Sequence, residues 1–473
     1  MRRGFSAHLH ARVAAVAIAA GATLAGCSSV AQPPERDEAR ASGEAGAAAP
    51  AQQRPCPEGV APGTRCFEGA DGQGAFYWIA VPANWNNGVL VLHAHGGPEF
   101  GAPRSERTER DLQRWSIWTR AGYAWAGSTY AQGGVAVRAA AADTERLRRI
   151  VIAQIGMPTR TVLHGQSWGA SVAAVGAETY VARGVAGRPP YDAVLLTSGV
   201  LGGGTRSYDF RLDLRVVYQA VCGNHPRPDE PPYPLWQGLP PDRKMSRAEL
   251  QARVEACTGI GRPPAQRSEA QRRNLKTLLE VIHIPERSLV GHLHWATEGF
   301  QDIVFKRLGG RNPFGNIGVR YRGSDDDAAL NARVARYRAD PSALADLAAD
   351  ADPGGRIGVP VLTMHAVDDP VAFVELESAW RETMRGAGTD ARLVQLYTDD
   401  HEHSYLSDAE YVAAMEGLLA WVERGDAKPA PQGVATRCAA LPAAFGPDKG
   451  CRFLPDYRPA ALDARVPPRS DSR

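Results

Sequence analysis

No charge of one sign dominates this chain of 473 residues: 54 Lys and Arg stand against 52 Asp and Glu, a net charge of +2. A balance so near neutrality provides no basic field to recruit nucleic acid or an anionic membrane surface. Long apolar runs are also missing. The longest, residues 13–24, holds about a dozen residues, where a ~30 Å hydrocarbon core needs about twenty in a helix, so a permanent transmembrane anchor is not expected. There is no P-loop, no dinucleotide-binding glycine fingerprint and no basic–aromatic RNA-binding stripe, so no cofactor and no nucleic-acid partner are expected. The cysteines lack CxxC-type spacing, which argues against a thiolate zinc site. What is present is an ordinary globular balance of 44% hydrophobic, 22% charged and 7% aromatic residues, with length enough for one large domain carrying an insertion.

The first 26 residues read as a targeting segment: Arg2 and Arg3, then the apolar run, then Leu24-Ala25-Gly26-Cys27. That last tetrad resembles the bacterial lipobox. The resemblance implies that Cys27 is acylated and becomes the N-terminus, and that the protein is lipid-anchored in a bacterial cell envelope. Without Asp after Cys27, the outer membrane is favoured over the periplasmic face of the inner one. Arg2-Arg3-Gly4-Phe5 is faintly similar to a twin-arginine signal. Residues 27–55, rich in Ala, Gly, Pro, Glu and Arg without periodicity, are expected to be a disordered tether. Beyond Cys27, six cysteines fall into sequential pairs, Cys56 with Cys66, Cys222 with Cys257 and Cys438 with Cys451, and in an oxidising compartment these neighbours are expected to bond.

Short apolar runs predict strands at 76–81, 89–93, 123–127, 160–164, 193–197, 359–365 and 392–397. Apolar residues at three- and four-residue steps predict helices at 147–155, 170–181, 371–384 and 408–422. Strands alternating with helices give an α/β fold, a mostly parallel sheet flanked by helices. The last helix has a capping box, Ser407 with Glu410, and a hydrophobic staple, Leu406 with Tyr411. The alternation stops at 201–355, which reads as an inserted, largely helical lid. Core segments are expected at 56–200 and 356–473.

Gly165-Gln166-Ser167-Trp168-Gly169 follows a predicted strand and precedes a predicted helix. A serine on such a tight turn, with glycines removing the clashing Cβ atoms, is a nucleophile elbow. Here the chain resembles the α/β-hydrolase superfamily, over roughly 76–200 and 356–424. The resemblance implies a Ser, Asp, His order. It assigns the acid to Asp369, with Asp368 as the alternative, and the base to His403, with His401 as the alternative. It assigns the oxyanion donors to the N–H groups of Trp168 and Gly97, the latter within His95-Gly96-Gly97-Pro98, where Pro98 has no N–H to offer.

His401 among Asp399, Asp400 and Glu402 lacks a distant ligand, so no metal is expected there. In the lid, beside Glu298, His292 and His294 diverge on a helix and suit packing or substrate contact. The implied activity is a cofactor-free serine hydrolase acting on carboxylic esters, and the C-terminal tail is similar to secreted carboxylesterases. Gly-Gln-Ser-Trp-Gly with His-Gly-Gly-Pro also resembles the prolyl aminopeptidase branch, though Glu99 stands where that branch has glycine. An inactive surface-binding lipoprotein on the same fold is the reading from a different class. The expected partner is a small molecule or peptide substrate, with membrane contact only through the lipid.

Overall fold

The computed structural model describes residues 49–86, 88–180, 189–425 and 427–469. The targeting segment and Cys27 lie outside the described residues.

Nine strands form one sheet in the order β1-β2-β3-β5-β4-β6-β7-β8-β9. They are β1 Gln52–Arg54, β2 Arg65–Ala70, β3 Phe76–Val81, β4 Val89–Ala94, β5 Ala124–Ser128, β6 Arg160–Gln166, β7 Ala193–Thr197, β8 Val361–Ala366 and β9 Leu393–Thr398. Pairing is antiparallel from β1 to β5 and parallel from β5 to β9. The parallel strands are continuous apolar runs because both faces are covered. Alternate side chains enter different cores: Leu90, Leu92, Leu163, Val194 and Leu196 pack on one side, and Val91, Val162, Leu195, Leu362 and Met364 on the other. Helices Val137–Gln154 and Trp168–Tyr180 cover the first face, and Asp408–Arg424 covers the second.

Several expected boundaries move. Strands β1 and β2 are additional to the predicted ones, and residues 52–54, expected in the tether, belong to the sheet. Their three side chains are exposed and carry no apolar pattern. Backbone pairing to β2 and the Cys56–Cys66 bond hold them. The helix expected from 147 begins at Val137 because buried charges interrupt its apolar period: Arg146 bonds Asp71 and Asp143, and Arg148 bonds Glu145. The helix expected from 371 begins at Leu376. The Asp369 carboxylate takes the N–H groups of Val371 and Ala372 and turns that segment instead.

Between β7 and β8 the described chain adds helices and no strand, including Asp209–Cys222, Arg247–Thr258, Glu269–Ile282 and Leu289–Gln301. Cys222–Cys257 ties the first two together, and Cys438–Cys451 closes the C-terminal segment on its preceding helix. Three disulfides fit a chain matured in an oxidising compartment. No described helix is long and apolar enough to cross a membrane.

Candidate active site

Strand β6 delivers Ser167 into a turn with φ of +57°, a backbone region that side chains other than glycine rarely occupy. Three backbone bonds fix the turn: Ser167 N–H donates to Thr197 O (2.9 Å), and Ser167 O accepts from Ala170 (3.0 Å) and Val200 (3.1 Å). Its flanking glycines are required by space. A Cβ on Gly165 would strike the Gly169 carbonyl, and one on Gly169 would strike the carbonyls of Ala94 and His95. Hence the loop after β4 packs directly on the serine turn.

Asp369 lies just past β8, where Val367 N–H still pairs with Thr398 O at 3.0 Å. Its carboxylate is sealed and accepts from Val371 N (2.8 Å), Ala372 N (2.9 Å) and His403 Nδ1 (2.8 Å to Oδ2). His403 Nε2 is 2.7 Å from Ser167 Oγ. The network sets the tautomer: Nδ1–H donates to Asp369, and Nε2 accepts from the serine hydroxyl. The histidine loop is held from three sides. Ser404, at φ +59°, accepts at its carbonyl from Arg114 (2.6 Å) and Tyr411 (3.2 Å), and its hydroxyl accepts from the Gln166 amide. The helix that follows begins at the expected capping box of Ser407 and Glu410.

The alternative acid and base meet each other elsewhere. Asp368 and His401 pair at 3.1 Å on the exposed surface, with Arg287 reaching both. The structure therefore brings Ser167, His403 and Asp369 together and leaves Asp368 and His401 apart from them.

Beneath Asp369 sits His365, which belongs to none of the motifs of the sequence. It is fully enclosed; Nδ1–H donates to Glu377 (3.1 Å), Nε2–H donates to Ala372 O (2.7 Å), and Asp369 Oδ2 is 3.5 Å away. Burial alone would lower its pKa, but bonds and attraction to Asp369 and Glu377 raise it to about 10, so His365 is an imidazolium. For Asp369, burial would raise the pKa, yet His403 and His365 together hold it well below the ordinary carboxylate range. The readable signal was a histidine inside an otherwise apolar strand, four residues before an aspartate.

On the opposite side, Gly97 adopts φ +67° in the loop after β4, while Trp168 opens the helix behind the serine. Arg107 braces this loop through Gly96 O (2.9 Å) and an ion pair with Asp111 (3.1 Å). His95 stacks on Tyr130 at 4.2 Å, and burial with the Arg107 charge lowers its pKa to about 3, so it is neutral. Glu99 points to Arg107 and Arg110 at 3.6 and 3.7 Å.

In the lid, His292 is buried and donates to Pro370 O at 2.9 Å, whereas His294 faces Glu298 at 3.5 Å. Among the described residues no group of three or more His, Cys, Asp or Glu could hold a metal ion. Trp115, Trp118, Trp125 and Trp168 are buried, and Trp236 and Trp295 are partly so.

No family model matches the chain, and no curated protein matches it. Among solved structures it is similar to feruloyl esterase B from Aspergillus oryzae, at TM-score 0.41 and 10% identity over 78% of this chain and 81% of that one. It is similar to lipase A from Candida antarctica at TM-score 0.41 and 9% identity, over 85% and 86% of the two chains. A puromycin-hydrolyzing peptidase from Mycobacterium tuberculosis gives TM-score 0.36 and 12% identity, covering 77% of this chain and 40% of that one. The assignment of fold rests on the chain's own architecture: a parallel sheet with an antiparallel edge, a serine at φ +57° between strand and helix, and an insertion between β7 and β8. The chain has the α/β-hydrolase fold.

Proposed function

We propose that this protein is a serine hydrolase of carboxylic esters, and the observation that carries the reading is the unbroken hydrogen-bond chain Ser167–His403–Asp369. In this reading His403 takes the Ser167 proton as Oγ attacks the ester carbonyl. The N–H groups of Gly97 and Trp168 receive the developing oxyanion; losing one such donor typically costs about 3 kcal/mol. His403 then protonates the departing alcohol, and a water, deprotonated by the same imidazole, releases the acid. Asp369 orients the base and stabilises its imidazolium. No metal or cofactor has a role in these steps.

The attachment of the enzyme to a bacterial envelope through lipid on Cys27 is part of the proposal, supported by Leu24-Ala25-Gly26-Cys27 and by three disulfides. Its partner is then a small ester or peptide-like substrate, and membrane contact is through the lipid alone.

The test compares a short-chain nitrophenyl ester and a proline arylamide with the wild-type chain from Cys56 onward extended to include Gln52–Arg54, and with Ser167→Ala. Ester turnover that disappears in the variant is the expected result. Turnover of the arylamide alone would replace the esterase by an aminopeptidase, and silence on both from folded protein would favour a binding protein.

A further inference from the structure

Buried arginines in this protein are compensated. Arg148, Arg253 and Arg469 face Glu145, Glu230 and Asp213, and Arg215 gives its guanidinium to the carbonyls of Leu235 and Gly238 and to the Thr297 hydroxyl. Arg211, on the lid helix Asp209–Cys222, has neither kind of partner. Only 4% of the residue is exposed, and Nε is sealed without an acceptor. Among the described residues its side chain makes no hydrogen bond and no ion pair. What surrounds it is aromatic: the ring centroids of Trp295, Phe210 and Tyr208 lie 4.1, 4.8 and 5.4 Å from the guanidinium carbon. Ring faces replace a fraction of the hydration a cation loses on burial. Burial lowers its pKa to about 10, which leaves it charged at neutral pH.

Its surroundings connect to the reaction centre on two sides. Tyr208, whose ring Arg211 overlies, lies beside Trp168, the residue after the serine. Phe210 packs at 4.9 Å on His292, which donates to the carbonyl of Pro370, the residue after the acid. His292 feels the charges of Arg211, Asp369 and His403 together. Arg211 is thus bracketed between the serine turn and the acid turn, on the lid side of the triad. Its two Nη atoms are not among the sealed, partnerless atoms, so the open end of the fork keeps contact with accessible space.

We propose that Arg211 is an anion-binding subsite of this active site and that the ester substrate carries a carboxylate, which the guanidinium receives under the lid. The inference rests on the ester-hydrolase reading above. A planar fork suits two parallel bonds to a carboxylate, and removal from water strengthens them. The carboxylate itself is unchanged by the reaction: water adds OH to the acyl group and H to the leaving oxygen of the ester. A free amino terminus, being cationic, would be repelled from the same place, which separates this site from one built for an aminopeptidase.

Two matched pairs of esters distinguish a carboxylate on the acyl side from one on the alcohol side. They are the 4-nitrophenyl monoester of adipic acid against 4-nitrophenyl hexanoate, and 4-acetoxybenzoate against 4-acetoxybenzamide. The wild type is expected to favour the anionic member of one pair by about tenfold or more in kcat/KM, expressed in KM and weakened by salt. In Arg211→Met that ratio is expected to fall to about 1, and Arg211→Lys to restore part of it. Equal turnover of anionic and neutral esters by the wild type would overturn the inference even if Arg211→Met failed to fold. So would an Arg211→Met that lowers both members of a pair equally while melting like the wild type, the behaviour of a lid brace. Loss of the hydrolase reading itself looks different: no ester of either pair is cleaved by folded wild type, or cleavage survives Ser167→Ala, and the inference falls with it.

Discussion

Two adjacent aspartates and two histidines two residues apart have unlike surroundings, and these surroundings assign their roles. Asp369 is sealed, takes two backbone N–H groups and meets His403, whereas Asp368 and His401 are exposed. Replacing Asp369 by Asn is expected to lower kcat by ~10⁴-fold, because the amide favours the wrong histidine tautomer. Asp368→Asn, on the surface pair, should stay within about threefold. Steady-state kinetics on one ester separates them. His365 is a positioning residue: it touches Asp369 and not the serine. Removing its charge in His365→Gln makes protonation of the neighbouring base easier, so the acid limb of the kcat/KM profile should move to higher pH. A purely structural loss would lower the whole profile without moving that limb.

Elements were legible where packing alone decides them and illegible where polar bonds decide. The fully buried strand at 193–197 and the capped helix from Asp408 stand where their patterns indicate. The first ten residues of the helix Val137–Gln154 were hidden because Asp143 with Arg146, and Glu145 with Arg148, are buried as ion pairs, which periodicity scores as solvent-facing. The short edge strand β1 has no inward side chain to read. The elbow string and the Asp–His set were visible through resemblance, but His365 and Arg211 were not, since their meaning comes from neighbours distant in the chain. Two changes test the element scale. Ser407→Ala removes the cap of the helix that supports the histidine loop and should cost about 1 kcal/mol in denaturant unfolding. Gly169→Ala sets a Cβ against two backbone carbonyls that cannot yield, and should cost more, about 2–4 kcal/mol, with activity lost in parallel.

For the molecule as a whole, the sheet supplies the turns that carry Ser167 and Asp369, and the insertion supplies helices that pack beside them. The Cys222–Cys257 bond closes a loop with a sequence separation of 35 within the lid, and a chain-entropy account gives it about 4 kcal/mol. Replacing both cysteines by Ser should lower thermal stability by an amount bounded by that figure. The His365 network adds a pH signature. Its folded pKa, about 10, lies above the ordinary histidine value, so the stability it contributes is complete below ~6.5 and is lost as pH rises through about 10. Asp369 acts at the other end: its depressed pKa contributes stability above the ordinary carboxylate range that is lost as pH falls through the folded value. Tm measured from pH 7 to 10 should decline in the wild type and decline less in His365→Gln. The central claim is that one serine, activated by His403 and Asp369, does the chemistry. Its most direct test is covalent labelling of the folded protein with a fluorophosphonate, followed by peptide mass mapping. The account predicts a single adduct on Ser167, absent in Ser167→Ala and strongly slowed in His403→Ala; a label on another residue, or labelling of Ser167 that is indifferent to His403, would contradict it.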